Sequence, residues 1–303
     1  MSLFSRLVVG TAESPPIKRL ITGTRAGQAL AHRFVAGDTL DQAAEVARRL
    51  NQSGLAVSLD LLGEEVTSPA EVDLAYKGYD ECLGRIADDG LEANISVKLT
   101  QLGLAIDQDL AAATLDRLAV TAGEMGLTIT IDMEDSQYTA ATVDLYRAAQ
   151  ERRGNLGLAL QAYLYRTPDD VGSLAVLGGH LRLCKGAYVE EREVAFTDPD
   201  DVDAAFARLL EVLMSTEQVL PAIATHDPAL IELTRRLAQA RQAPFEFQML
   251  YGVRTSAQKD LTSAGFPVRI YLPYGSHWYP YLVRRLGERP ANLALFLRAL
   301  VGR

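Results

Sequence analysis

LAVSLDLL at 55–62, ANISVKL at 93–99, LTITIDM at 127–133, LGLALQAY at 156–163, HLRLCKGA at 180–187, LPAIATH at 220–226, FEFQML at 245–250 and PVRIYLP at 267–273 are short runs rich in apolar and β-branched residues. Each has the length and composition of a strand. Between them lie longer amphipathic segments, such as SPAEVDLAYKGYDECLGRIADDG (68–90), DQDLAAATLDRLAVTAGEMG (107–126) and DPDDVDAAFARLLEVLMS (198–215). Most open on Asp, Ser or Thr, as helix caps do. No two runs stand close enough for a hairpin, which implies parallel strands joined by crossover helices. A single closed (β/α)8 barrel of TIM type is the simplest architecture. An open, doubly wound sheet is the runner-up, weakened because no GxGxxG follows the first run and no GxxxxGK[ST] occurs.

Outward from these runs, residues 25–50 carry apolar residues at helical spacing, with Asp38 or Thr39 placed to cap LDQAAEVARRL. The expected organisation is one catalytic domain over 1–303, with a helical preamble at 1–53 and a barrel at 54–303 that ends in a substrate-capping helix. Interior Pro/Gly linkers and low-complexity tracts are absent.

The chain has 303 residues, 48% of them apolar and 23% charged, an ordinary globular composition. Thirty Lys and Arg stand against 39 Asp and Glu, a formal net charge of -9, which makes nucleic acid a poor candidate partner. Cys82 and Cys184 lie far apart with no CxxC spacing, and read as reduced core residues of a cytoplasmic protein. No HExxH, EF-hand loop or metal-spaced histidine pair occurs, so no metal is expected. There is no signal-peptide pattern and no apolar run of about 18 residues, so a membrane-spanning helix is not expected, while peripheral contact with a membrane stays open.

Barrel enzymes carry their reactive groups at the carboxyl ends of the strands. Here those ends hold Asp60 and Glu64, Lys98, Asp132 and Glu134, Gln161 and Tyr163, Arg182, Lys185 and Tyr188, Thr225 and His226, Gln248, and Tyr271. Taken singly, each has a plainer role: a lysine is more often a paired surface charge, and His226 could cap the following helix. Their coincidence on every strand points to an enzyme. With no GxSxG elbow, two chemistries remain: a lysine Schiff base on Lys98 or Lys185, or a non-covalent organic cofactor. The segment YLPYGSHWYPYLVRRLGERPANLALFLRALV (271–301) adds adjacent Arg284 and Arg285 after an aromatic cluster. Successive helical residues diverge by only about 100°, so two guanidinia can share one carboxylate, although an exposed basic face is the plainer alternative.

This last segment resembles the C-terminal signature of the proline dehydrogenase family, in which a Tyr-x-x-Arg-Arg motif holds the substrate carboxylate. LDLLGEE, SVKLT, IDMED, LALQAY, RLCKGAY, ATHD and FQMLYG resemble the strand-end motifs of the same family in the same order, over essentially the whole chain. The resemblance implies a distorted (β/α)8 barrel that binds FAD, oxidises L-proline to 1-pyrroline-5-carboxylate and passes electrons to a membrane quinone, with a 1-pyrroline-5-carboxylate dehydrogenase as a further candidate partner. It places Arg284, Arg285 and Lys98 on the proline carboxylate, and Tyr271, Tyr281 and Leu250 around the ring. Asp132 stands near the flavin and Lys98, and Glu64 pairs with Arg284 to close the site. Flavin contacts carry over to Gln161, Arg182 (near N5), Lys185, Gly186, Ala187, Tyr188, Thr225, His226, Gln248 and Glu288. A tyrosine at 271 implies proline rather than hydroxyproline. Val189 departs from the aromatic residue that many members carry there, which bears on the adenine side, around Thr197–Asp201. A Schiff-base lyase or aldolase barrel and a non-catalytic carboxylate-binding protein are the alternatives, and both leave the flavin motifs unexplained.

Overall fold

The computed structural model describes residue 28 and residues 31–63 and 66–288, with 284–288 as backbone only. Helix α1 (Leu40–Gln52) precedes β1 (Ala56–Leu61), α2 (Pro69–Asp88), β2 (Ala93–Val97), α3 (Gln108–Glu124), β3 (Ile129–Ile131), α4 (Ser136–Arg153), β4 (Leu156–Gln161), α5 (Thr167–Leu174), β5 (His180–Cys184), α6 (Pro199–Ser215), β6 (Leu220–Ala224), α7 (Pro228–Ala238), β7 (Glu246–Leu250), α8 (Thr255–Ser263), β8 (Val268–Tyr274) and α9 (Trp278–Glu288). Every strand pairs in parallel with the next, and β8 closes on β1 from Ala56↔Arg269 to Leu61↔Tyr274. Each expected run contains a strand, and the closed barrel excludes the open sheet.

Local chemistry explains the helix starts. Thr39 caps α1 and forms a reciprocal capping box with Gln42, and Ser68 does the same with Glu71 at α2. Asp107, Asp198 and Asp227 accept from the first-turn backbone of α3, α6 and α7, and Pro199 and Pro228 occupy the first turns of the last two. The cap of α7 is therefore Asp227 rather than His226.

Strand alternation decides where the core lies. One set, including Val57 and Leu59, Ile95 and Val97, Ile129 and Ile131, Leu181 and Leu183, Phe247 and Met249, is fully buried in apolar clusters with the surrounding helices. The alternate set holds Ser58 and Asp60, Asn94 and Ser96, Thr130, Arg182, Glu246 and Gln248, Arg269 and Tyr271. These side chains meet across the barrel, as when Arg182 of β5 reaches Ser96 of β2 and Gln248 of β7. The apolar core is thus a sleeve between sheet and helices, and the barrel interior is polar where such barrels are commonly filled by Val, Ile and Leu. Among the described residues, no helix is long and apolar enough to cross a membrane.

Candidate active site

At the carboxyl end of the barrel the polar interior becomes a charged cluster. Lys98, just past β2, donates from Nζ to Asp60 Oδ1 at 2.7 Å and lies 3.7 Å from Asp132 Oδ2. Asp132, just past β3, accepts from the Arg182 guanidinium, from the Ser96 hydroxyl at 2.7 Å and from the Tyr271 hydroxyl at 2.6 Å. The Arg182 guanidinium also lies 5.2 Å from the centre of the Tyr271 ring, a cation–π arrangement. All four charged groups are at least nine-tenths buried, so each must be matched by a partner.

Their protonation follows from that matching. Burial opposes the charge of Lys98, but Asp60 and then Asp132 overcome it and hold the ammonium well above its usual value. Burial raises the Asp132 carboxyl, yet Arg182 foremost and Lys98 after it bring it below the usual range. Asp60 is raised, because burial outweighs Lys98 there, so it is the easier of the two acids to protonate. Tyr271 is pushed well above its usual value by burial and by both carboxylates, and remains a donor. A Schiff base requires a neutral amine, and Lys98 does not supply one. Neither does Lys185 at the end of β5, which is paired with Asp203 and, at 3.0 Å, with Asp227 and is also raised. The lysine alternative thereby loses its nucleophile.

A second group of strand ends borders the cluster. Gln161 fixes two loops, donating to the Glu134 carbonyl at 2.9 Å and accepting from Ala187 N–H at 3.4 Å. The turn after β5 runs through Gly186 at φ +123°, where a Cβ would drive into the Tyr163 ring, so only glycine fits this approach. Ala187 is exposed and Tyr188 half-buried. Glu190 closes the same loop onto α4, accepting from Ser136 N–H at 2.8 Å and from its hydroxyl. Thr225 accepts from Asp227 N–H at 3.1 Å. His226 Nε2 accepts from Leu250 N–H at 3.0 Å, which binds the end of β6 to that of β7. Gln248 Oε1 accepts from Arg182 Nε at 2.5 Å.

Lys98, Asp132, Arg182, Gln248 and Tyr271 therefore form one contact network, with Gln161, Lys185, Gly186, Ala187, Tyr188, Thr225, His226 and Leu250 on neighbouring strand ends and their loops. Tyr281 is buried on α9. Glu64 and the side chains of Arg284, Arg285 and Glu288 lie outside the described residues, although the backbone of α9 runs through those last three positions. Of the two cysteines, Cys82 sits in the core, while Cys184 is half-buried at the end of β5. The sequence marks Asp60 as a strand-end group without a partner, and Ser96, Glu246 and Arg269 are not among the expected site residues. Their signal was the polar residue at every second position of β1, β2, β7 and β8.

One atom does not fit a closed protein network. Arg182 places Nε on Gln248 and Nη1 on Asp132 and Ser96, while its buried Nη2 has no acceptor among the described residues. A buried guanidinium donor is costly to leave unpaired, so the site suits a group that brings an acceptor. A flavin, with its ring nitrogens and carbonyl oxygens, is such a group.

The sequence matches the profile of a family described as Proline dehydrogenase over residues 43–296. It is 39% identical over 282 residues to Proline dehydrogenase 1 of Bacillus subtilis (strain 168), covering 92% of each chain. It is 35% identical over 307 residues to Proline dehydrogenase of Deinococcus radiodurans, covering 99% of this chain and 98% of that one. Among solved structures, proline utilization A (PutA) from Bdellovibrio bacteriovorus inactivated by N-propargylglycine superposes with a TM-score of 0.81 at 23% identity, over 94% of this chain and 36% of that one. That likeness is one of fold, to a protein of which this chain spans about a third.

Proposed function

The chain belongs to the proline dehydrogenase family, and we propose that it oxidises L-proline to 1-pyrroline-5-carboxylate with FAD as its resident cofactor and a membrane quinone as the final electron acceptor. The observation that carries the flavin assignment is the open Nη2 of Arg182, a buried donor in a cluster whose other donors are matched. Arg182 would hold the flavin, with Gln161, Gln248, Thr225, His226 and the Lys185–Tyr188 loop along the cofactor. FAD supplies, when bound, the two-electron acceptor for the hydride that leaves the ring carbon next to the proline nitrogen.

The chain's own residues orient and neutralise. Arg182 and Lys98 hold Asp132 ionised, and Tyr271 stays protonated as the donor that closes the cluster. Arg284 and Arg285 would clamp the carboxylate with Lys98 beside them, and Tyr271, Tyr281 and Leu250 would shape the ring slot. Glu64, by its pairing with Arg284, would exclude water from the closed site. Formation of the imine requires an amine proton to leave as well, and solvent deprotonation before binding is adequate for it. A 1-pyrroline-5-carboxylate dehydrogenase is the proposed consumer of the product.

The purified protein is expected to be yellow, and its flavin absorbance to bleach on anaerobic addition of L-proline. A colourless protein that FAD cannot reconstitute, or a flavin that L-proline leaves oxidised, would overturn the assignment.

A further inference from the structure

Below the cluster lies a second, half-buried ion pair. Arg269 of β8 donates from Nε to Glu246 Oε1 of β7 at 2.8 Å, and from Nη1 to the Val57 carbonyl of β1 at 3.0 Å. Burial pushes the Glu246 carboxyl up, but Arg269 more than reverses this and keeps it below the usual value. The same Oε1 accepts from Gln248 Nε2 at 2.7 Å, and Gln248 Oε1 accepts from Arg182 Nε at 2.5 Å.

The order of these bonds follows from donor chemistry. A carboxylate has only acceptors, so the Gln248 amide must turn its NH2 toward Glu246. Its oxygen is then left facing Arg182, whose guanidinium has only donors. With a neutral amide at 246, both orientations of Gln248 would find a partner there, and one of them would set an NH2 against the Arg182 N–H.

We propose that Glu246, anchored by Arg269, is a positioning residue that fixes the orientation of the Gln248 amide and through it the rotation of the Arg182 guanidinium. Nη1 is thereby held on Asp132 and Ser96, and Nη2 is kept open. The consequence for cofactor binding rests on the flavin assignment above, whereas the orientation itself does not.

The test compares the wild type with Glu246→Gln and with the exchange Glu246→Gln/Gln248→Glu. The exchange puts an acceptor-only group opposite Arg182, while the amide at 246 gives its NH2 to that group and its oxygen to Arg269. The first readout is the ¹⁵N–¹H resonance of Arg182 Nε, assigned by its loss in Arg182→Lys. A slowly exchanging signal is expected in the wild type, lost or broadened in Glu246→Gln and restored in the exchange. The second is the FAD dissociation constant, expected to rise about tenfold in Glu246→Gln, the worth of roughly one charge-assisted hydrogen bond, and it is read in Glu246→Gln alone, because the exchange also changes Gln248, which the proposed function sets along the cofactor. If Glu246→Gln does not fold, Glu246→Gln/Arg269→Gln removes both charges and must show the same loss of the signal. An unchanged Arg182 signal in the neutral variants overturns the proposal. So does a loss that the exchange fails to restore, because Glu246 would then only balance Arg269. If the wild type binds no flavin, the flavin assignment fails and the resonance comparison still decides the role of Glu246.

Discussion

Replacing Lys98 by Met tests whether the charged cluster is a matched unit. At 2.7 Å from Asp60 and 3.7 Å from Asp132, the ammonium gains about 6 and about 4 kcal/mol of gross attraction at an effective dielectric constant of about 20. Much of this is offset by the cost of burying the charges, so what Lys98→Met removes is roughly 3–5 kcal/mol, the usual cost of stranding one member of a buried pair. In a chain of this size that corresponds to a fall of roughly 6–10 °C in melting temperature. Asp60→Asn alone leaves the ammonium with Asp132 as its one remaining carboxylate, at 3.7 Å, and should be costly as well. The double variant strands neither and should lose less than the sum of the two, with a coupling of about 3 kcal/mol. The pH dependence has a definite sign. Burial raises the Asp60 carboxyl, and with Lys98 gone it binds a proton more readily still in the folded protein than in the unfolded chain, so the deficit of Lys98→Met should be smaller at mildly acidic than at neutral pH. Urea unfolding of all four forms at both pH values provides the measurement. A loss below about 1 kcal/mol for Lys98→Met, or a double variant equal to the sum of the singles, would refute the matched cluster.

Two further outcomes follow from other contacts. Glu190→Ala removes the acceptor that caps α4 from the loop proposed to line the cofactor, so stability should fall by about 1 kcal/mol and, on that proposal, FAD should bind about fivefold more weakly; flavin fluorescence titration with unchanged affinity would detach that loop from the cofactor. Burial lowers the proton affinity of His180 to about pH 4, while the unfolded chain protonates near pH 6.5, so stability is full above that window and should fall by about 2 kcal/mol by about pH 5. His180→Gln should flatten this part of the stability profile, and an unchanged slope would remove His180 as its source.

The barrel was legible because its signals are local. Runs of strand length alternate with capped amphipathic segments, and Ser68, Asp107 and Asp198 start helices in the structure as their chemistry directs, whereas α7 is capped by Asp227 rather than by His226. The polar strand ends were legible too, since Lys98, Asp132, Arg182, Gln248 and Tyr271 converge. The pairing within the cluster was not. Whether Lys98 meets a substrate or Asp60 depends on which strands are neighbours across a closed sheet, and no spacing along the chain encodes that distance. Glu246 and Arg269 were overlooked for a related reason. On β7 and β8 they sit nearer the strand beginnings, where a barrel is ordinarily read for packing, although the polar alternation EFQ and RIY already set them on the same face as Gln248 and Tyr271.

The matched interior also bears on how an acidic chain could hold an amino acid. Among the described residues, Lys98 and Arg182 are balanced by Asp60 and Asp132, and Arg269 by Glu246. This interior offers oriented donors but no surplus positive charge. A carboxylate entering it would meet direction without net attraction, and its desolvation would be poorly offset. On the proposed reading the surplus must come from elsewhere, and the sequence provides it at Arg284 and Arg285 on α9, the helix that begins at the buried Trp278 just after β8. The two tasks would then be divided: the strand ends hold a rigid, neutral template for the redox group, and the terminal helix brings the charge that selects an anion. That division also explains why Lys98 can be locked between two carboxylates without loss, since its part is to keep Asp132 ionised beside Arg182, and the carboxylate need not depend on it alone.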